Sequence, residues 1–232
     1  MKNRIWILFA LLINTSMILF SQGNSGNSWV AIGYQMNLTN IEKDDNWTKD
    51  HGFKFLSRFS MLSLYDNIGF GILFSGRLSF PKETYWVSPD TGNVNRITNA
   101  KSIYEFGSML GVSLHGKIVG PIGFGVGTGL VANWVTAKMD TFFTLLYGDV
   151  DFELNVFDFG LGLNAGIKFD IGEFVIELGS DISFPLFKRD SYTYTSENKH
   201  FGTNGIIESD SISSKPSILR ISPYVLIGLK IL

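Results

Sequence analysis

Hydrophobic and polar residues alternate with a period of two along much of this chain. From Ile68 to Phe80, large apolar side chains at most even positions alternate with mainly glycine, serine and arginine. Successive residues of an extended strand point to opposite faces. The stretch therefore predicts a strand with one apolar face and one small or charged face. Beyond residue 21 no window shows a sustained helical period, which favours an all-β fold.

The same pattern predicts eight strands, at about 29–38, 52–65, 68–80, 100–115, 121–137, 158–170, 173–184 and 217–232. Short turns rich in Gly, Asn or Asp are expected at 66–67, 116–120 and 170–172. Long polar segments occupy 39–51, 81–99, 138–157 and 185–216. Alternating short and long connections predict an antiparallel up-and-down meander with both termini at the short-turn end.

The segment from 141 to 157 allows two interpretations. It resembles a hairpin around Gly148-Asp149, and the apolar alternation slips by one residue between Val156 and Phe157. Either the fifth and sixth strands continue outward, with a β-bulge at the slip, or the hairpin returns to the sheet. The first interpretation gives an eight-stranded barrel and the second a ten-stranded one.

Charge distinguishes a membrane barrel from a soluble one. Over the predicted strands no charge interrupts the apolar face. Charged residues lie on the opposite face, and the nine that we expect in the lumen are Lys54, Arg58, Arg77, Glu105, Lys168, Glu177, Asp181, Arg220 and Lys230. In a dry core, unpaired charges would cost several kcal/mol each. We therefore predict a closed transmembrane β-barrel whose apolar face meets lipid and whose charged face lines the lumen.

The predicted strand heights suggest which lumen charges meet. We expect Lys168 beside Glu177, Arg220 beside Asp181, and Arg77 beside Glu105. Such pairs either close the barrel as a structural plug or exchange partners as the gate of a narrow channel.

The decapeptide PIGFGVGTGL at 121–130 carries glycine at every second position. A dinucleotide-binding loop needs the spacing G-x-G-x-x-G between a strand and a helix. Strict alternation instead puts all four glycines on one face of a strand. We predict that they face a cramped lumen and leave room for long side chains from opposite strands.

The first 21 residues have the features of a cleaved secretory signal peptide. Lys2 and Arg4 precede an apolar run from Ile5 to Phe20, which is short for a membrane anchor, the alternative interpretation. Cleavage would leave residues 22–232 as one barrel domain, with 17 basic and 21 acidic residues, a net charge of −4. That charge gives no indication of nucleic-acid binding, and the absence of cysteine excludes a disulfide framework.

A signal peptide, eight alternating strands, three tight turns and four long segments resemble the small outer-membrane barrels of the OmpA and OmpX type, barrel domain only. The resemblance implies periplasmic short turns, extracellular loops and a lumen filled by charged networks. Two features depart from it. The chain ends at Leu232 rather than at an aromatic residue, and Pro223 removes a donor from the last strand. We expect a bulge at Pro223, or a membrane portion that begins at Tyr224.

Outer-membrane acyltransferases and deacylases resemble this chain in size and use a His with Ser and an acidic partner. His51, with Asp50 and Ser57 nearby, is the candidate here; we expect His115 at a periplasmic turn and His200 in the longest loop. Catalysis requires these groups to converge in space, and no motif indicates that they do. The acidic segments 42–45 and 149–153 lack calcium-loop spacing, so we expect no metal and no cofactor.

We therefore expect an integral protein of the bacterial outer membrane, without enzymatic activity, that acts structurally or as an adhesin through four long extracellular loops. Its expected partners are lipopolysaccharide around the barrel and host or cell-surface molecules at the loops. A narrow gated channel, a lipid-modifying enzyme and a secreted soluble barrel are the alternatives.

Overall fold

The computed structural model describes residues 28–41, 44–65, 67–82, 84–87, 94–97, 100–141, 150–198, 203–213 and 218–231. The predicted signal peptide lies outside these residues. Eleven strands are present in them: β1 (Ser28–Ile41), β2 (Asp44–Tyr65), β3 (Ile68–Ser79), β4 (Thr84–Val87), β5 (Val94–Ile97), β6 (Ser102–Val119), β7 (Ile122–Thr141), β8 (Val150–Ile171), β9 (Phe174–Asn198), β10 (Thr203–Ser213) and β11 (Ile218–Ile231).

Eight of these strands close into a ring. The order is β1-β2-β3-β6-β7-β8-β9-β11, every neighbouring pair is antiparallel, and β11 pairs back with β1. The predicted eight-stranded up-and-down barrel is confirmed. The ten-stranded alternative is wrong, because β7 and β8 pair with each other without interruption from Thr141 and Val150 down to Ile122 and Phe169. No helix in the described part of the chain is long and apolar enough to cross a membrane.

Tight turns join the strands at one end of the barrel. Gly120 and Gly172 occupy two of these turns with φ of 53° and 62°, the left-handed region that glycine adopts at little cost. Ser28 of β1 pairs with Ile231 of β11 at this same end. The start of the first strand and the end of the last strand therefore lie on the short-turn side, as predicted.

At the other end, the strands run further than the apolar pattern predicts. β7 and β8 continue outward to Thr141 and from Val150, as the first interpretation of 141–157 predicts, while β9 continues beyond its predicted end to Asn198, and β10 pairs with this outer part from Lys188. β4 and β5 form a separate hairpin between β3 and β6. Much of the segments predicted as long loops is thus an extension of the sheet.

The predicted bulge between Val156 and Phe157 is wrong. The β7–β8 register is continuous there, and the shift lies on β9, where Phe159 faces Phe187 but Gly160 faces Pro185. Val156 is apolar because it points inward, where it joins a buried cluster with Leu154 and Val135. At this level of the barrel, the apolar side chains lie on the inner face and polar side chains lie on the outer face.

Pro223 lies inside β11 without a bulge. Its neighbours keep one register with β9, and the pairing with β1 resumes at Ile221 in the same register after skipping Ser222 and Pro223. The gap is consistent with the missing N–H of proline. The expected interruption of the last strand is therefore confined to the ladder with β1.

Candidate functional site

The lumen holds all nine charged residues that the sequence predicts for it. Seven are buried, while Asp181 and Lys230 are partly exposed, with side-chain exposures of 15% and 23%. They separate into three groups along the barrel axis, each with its own partners. One group lies in the middle of the barrel, and one lies beside the turn that joins β8 and β9. The other lies toward the end opposite the tight turns, which we call the long-loop end.

Glu177 is the centre of the middle group. Its carboxylate accepts hydrogen bonds from Trp29 Nε1 at 2.8 Å, Tyr224 Oη at 2.8 Å and an Arg58 Nη at 3.0 Å. All four side chains are buried. Arg58 lies on β2 and Glu177 on β9, so this ion pair crosses the lumen and links strands that are not neighbours.

Asn164 joins a second ion pair to the middle group. Lys54 on β2 forms a salt bridge with Asp181 on β9, and its Nζ lies 4.1 Å from the centroid of the Tyr224 ring. Asn164 donates to Asp181 at 2.6 Å and accepts from Arg58. The partner expected for Asp181 was Arg220; the structure gives it Lys54 instead.

Two arginines and two carboxylates form the group toward the long-loop end. Arg77 contacts Glu105 at 2.5 Å, as expected from the sequence. Arg220 lies 2.8 Å from Asp158 and 3.4 Å from Glu105, rather than beside Asp181. Asn133 also bridges the group, accepting from Arg77 at 2.7 Å and donating to Asp158 at 2.5 Å.

The third group lies beside the turn between β8 and β9. Lys168 and Lys230 contact Asp170 at 3.4 and 3.5 Å. The expected pair of Lys168 with Glu177 is thus replaced by a pair within β8. Lys168 Nζ also lies 4.5 Å from the centroid of the Trp29 ring, within the range of a cation–π contact.

The glycines of β7 make room for these side chains. A Cβ at Gly123 would lie 2.5 Å from Lys168 Cε, and one at Gly125 would lie 2.6 Å from Arg58 Cζ. Gly129 meets backbone instead, because its Cβ would lie 2.3 Å from the Leu110 carbonyl oxygen. Gly123 and Gly125 are therefore required by side chains in the lumen, and Gly129 by the close approach of β6.

Sequence reasoning missed four charged or aromatic members of these groups. Asp158 and Asp170 were assigned to strand ends, although the even-numbered alternation of β8 continues through both. Trp29 and Tyr224 were not considered as lumen residues, because a search for charges overlooks aromatic residues with a polar tip. Both are nevertheless buried and hydrogen-bonded to Glu177.

Apolar side chains fill the space between the charged groups. A buried cluster includes Leu73, Met109 and Val131, and a second one toward the long-loop end includes Ile103 and Leu154. A small cavity of about 20 Å³ lies among Arg77, Asn133, Asp181 and Ser183, among others, which is room for about one water molecule. An eight-stranded lumen filled in this way is a packed core rather than an open pore.

The predicted catalytic candidates do not converge. Asp50 points into the lumen, where its carboxylate accepts a hydrogen bond from Asn37, whereas His51 is exposed on the outer face. Consecutive strand residues point to opposite faces, so neighbours in sequence are separated by the sheet. His115, expected at a turn, is buried in the lumen, with its ring 5.1 Å from that of Trp29. His200 lies outside the described residues.

The outer face is an apolar band that ends in ordered rows toward the long loops. In direct register, its last row is Phe53, Leu78, Phe106, Trp134 and Phe157. The next row, which we call the boundary row, is His51, Phe80, Tyr104, Thr136 and Asn155. Beyond it the outer face carries Lys49, Lys82, Ser102, Lys138 and Glu153. An apolar band bordered by aromatic and then charged residues is the surface of a barrel that spans a lipid bilayer.

Substituting Leu163 by Arg tests this placement. Leu163 lies near the middle of the apolar band and is 48% exposed. A charge there faces hydrocarbon, so we expect a loss of about 2–4 kcal/mol in the free energy of unfolding, measured by urea titration in lipid vesicles. Thr136→Arg, in the boundary row, should cost at most about 1 kcal/mol. Equal costs at the two positions would contradict the membrane placement.

Comparison with known proteins gives neither a matching family model nor a matching curated protein. Three solved structures similar to this chain are Ail of Yersinia pestis, Neisserial surface protein A, and a major outer membrane protein of Thermus thermophilus. Their identities are 12%, 10% and 11%, and their TM-scores 0.45, 0.42 and 0.45. The matches cover 88%, 88% and 86% of this chain, and 98%, 96% and 98% of theirs.

These sequence identities and TM-scores are too low to support an inference about function. The membrane assignment accordingly rests on the outer face and the lumen of this barrel. The eight-stranded meander and outward apolar band agree with the architecture implied by the resemblance to OmpA- and OmpX-type barrels. The chain is an eight-stranded antiparallel transmembrane β-barrel with a packed and charged lumen.

Proposed function

We propose that this protein is an outer-membrane surface protein whose barrel is a closed anchor and whose long-loop end contacts molecules outside the cell. The observation that carries the proposal is the contrast between the two parts. The lumen is filled by buried ion pairs and apolar clusters, whereas β8, β9 and β10 build a sheet beyond the apolar band. Loops and extensions on a rigid scaffold are common sites of binding.

The sheet extension supports a role in binding to host or other cell-surface molecules. β10 adds to β9 outside the ring, and β4 with β5 forms a separate hairpin. Neither element is needed to close the barrel, because the ring is complete without them. A closed anchor with dispensable outer elements suits an adhesin-like protein better than a pore.

Removal of the outer elements tests this function. One variant lacks 84–97 and another lacks 203–213, each replaced by a short Gly-Ser linker. We expect both to insert in the outer membrane and to keep a heat-dependent gel shift, and at least one to lose adhesion of expressing cells to host cells. Adhesion that equals that of empty-vector cells for the intact protein, or that survives both deletions, would contradict the proposal.

Conductance in planar bilayers tests the narrow-channel alternative. We expect neither the wild-type protein nor the Glu177→Gln variant to conduct ions persistently, because the groups around Glu177 and Arg77 and the apolar clusters each close the lumen at a different level. A porin in the same bilayer is the positive control. Steady conductance in wild type, or its appearance only in Glu177→Gln, would favour a gated channel.

A further inference from the structure

His51 and Tyr34 form a polar pair on the outer surface of the barrel. The Tyr34 hydroxyl and His51 Nδ1 are hydrogen-bonded, and their rings stack with centroids 5.8 Å apart and planes inclined by 27°. Both side chains are exposed, on neighbouring strands β1 and β2. Because the hydroxyl occupies Nδ1, Nε2 is the ring nitrogen that can reach a ligand outside the protein.

Lys49 and two aromatic rings complete the surroundings of this pair. Lys49 is exposed and lies two residues from His51 on the same face of β2, one row further toward the long loops. On the other side, the Phe80 amide donates to the His51 carbonyl at 3.2 Å, and Phe80 contacts Tyr104 edge to face at 5.9 Å. Cationic and hydrogen-bonding groups thus lie directly above the aromatic edge of the apolar band.

Charge is distributed unevenly along the boundary. On β7 and β8, Lys138 pairs with Glu153 at 3.1 Å, so this side is locally neutral. On β2 and just after β3, Lys49 and Lys82 are exposed. A lysine at the level where lipid headgroups begin attracts anionic groups, and a histidine beside it supplies a directed donor.

We propose that Lys49, His51 and Tyr34 form a binding site for a phosphate on the headgroup of a lipid in the leaflet at the long-loop end. The Lys49 ammonium and the His51 Nε2–H would donate to the phosphate oxygens, and charge-assisted bonds of this kind are stronger than neutral ones. The acyl chains would lie along Phe53 and Ile32, both more than 60% exposed. The site rests on the membrane placement and is independent of what the long loops bind.

Titration with lipid A tests the site. The refolded protein in detergent micelles is titrated with lipid A, which carries phosphate, and with chemically dephosphorylated lipid A, and bound lipid is counted by native mass spectrometry. We expect Lys49→Gln and His51→Gln each to weaken lipid A binding about fivefold, the effect of one basic group at an anionic lipid surface. Lys138→Gln, at the same level but paired with Glu153, is the matched control and should bind as wild type does.

Three outcomes would overturn the site. Dephosphorylated lipid A bound as well as lipid A would exclude phosphate as the ligand. Unchanged binding by both Lys49→Gln and His51→Gln would exclude these residues, and an equal loss in Lys138→Gln would indicate diffuse surface charge. A heat-dependent gel shift for each variant verifies the fold. Because adhesion is not measured, failure here leaves the proposed function untouched.

Discussion

A Glu177→Ala variant is expected to lose about 3–5 kcal/mol of its free energy of unfolding, which is a large part of the stability of a small domain. The substitution leaves the Arg58 guanidinium buried without its ion-pair partner. It also removes the acceptor from Trp29 Nε1 and Tyr224 Oη. Breaking one partner of a buried pair costs far more than the pair contributes as a whole, because the remaining charge stays desolvated.

Urea unfolding in lipid vesicles measures this loss. Tryptophan fluorescence is a suitable signal, because Trp29 is fully buried against the same network. The matched control is Glu153→Ala, since Glu153 pairs with Lys138 on the surface, where the two side chains are 41% and 57% exposed. An exposed pair contributes about 0–1 kcal/mol. If Glu177→Ala were as stable as Glu153→Ala, the lumen network would not hold the barrel together.

The strand number and the lipid-facing surface could be predicted from the sequence because lipid imposes a strict rule. Each residue that faces the bilayer must be apolar, so alternation is unbroken from Phe159 to Phe169 on β8. Beyond the band both faces meet water or protein, and the rule no longer applies. The extension of β9 to Asn198 was therefore not predicted.

The inward position of the charged residues was also predictable, because residues two apart on a strand share a face. Their partners were less predictable. The expectation placed pairs on neighbouring strands, which holds for Arg77 and Glu105 on β3 and β6. It fails for Arg220 on β11, whose guanidinium reaches Asp158 on β8. Long side chains in a narrow barrel cross the lumen, and such contacts depend on strand heights that alternation does not give.

The glycines of β7 relate its apolar outer face to the packing on its inner face. An apolar outer face requires only that even positions of β7 be apolar, whereas the odd positions are restricted by the side chains and backbone that approach them on the inner face. Where Arg58 and Lys168 pass, β7 has Gly125 and Gly123; where β6 comes closest, it has Gly129. The network in the lumen and the repeat of glycines are thus two aspects of one packing arrangement.

A Gly129→Val variant is expected to lose about 3 kcal/mol or more of its free energy of unfolding, a large part of the stability of a small domain. Gly129 on β7 faces Gly111 on β6 in direct register. A Cβ at Gly129 would lie 2.3 Å from the Leu110 carbonyl oxygen and 2.7 Å from Gly111 Cα. Overpacking costs more when it cannot be relieved by rotating a side chain, and here the two strands themselves would have to move apart.

The yield of heat-modifiable barrel after refolding, followed by urea unfolding of the folded fraction, measures the effect. Gly111→Ala should also destabilise the barrel, because its Cβ would lie 2.0 Å from the Thr128 carbonyl oxygen. Leu130→Val, next to Gly129 but on the lipid face, is the control and should stay within about 1.5 kcal/mol of wild type. Gly125→Ala should be milder than Gly129→Val, since the Arg58 side chain can shift whereas the β6 backbone cannot. Refolding of Gly129→Val with wild-type yield and stability would show that β6 and β7 do not approach each other as closely as this packing requires.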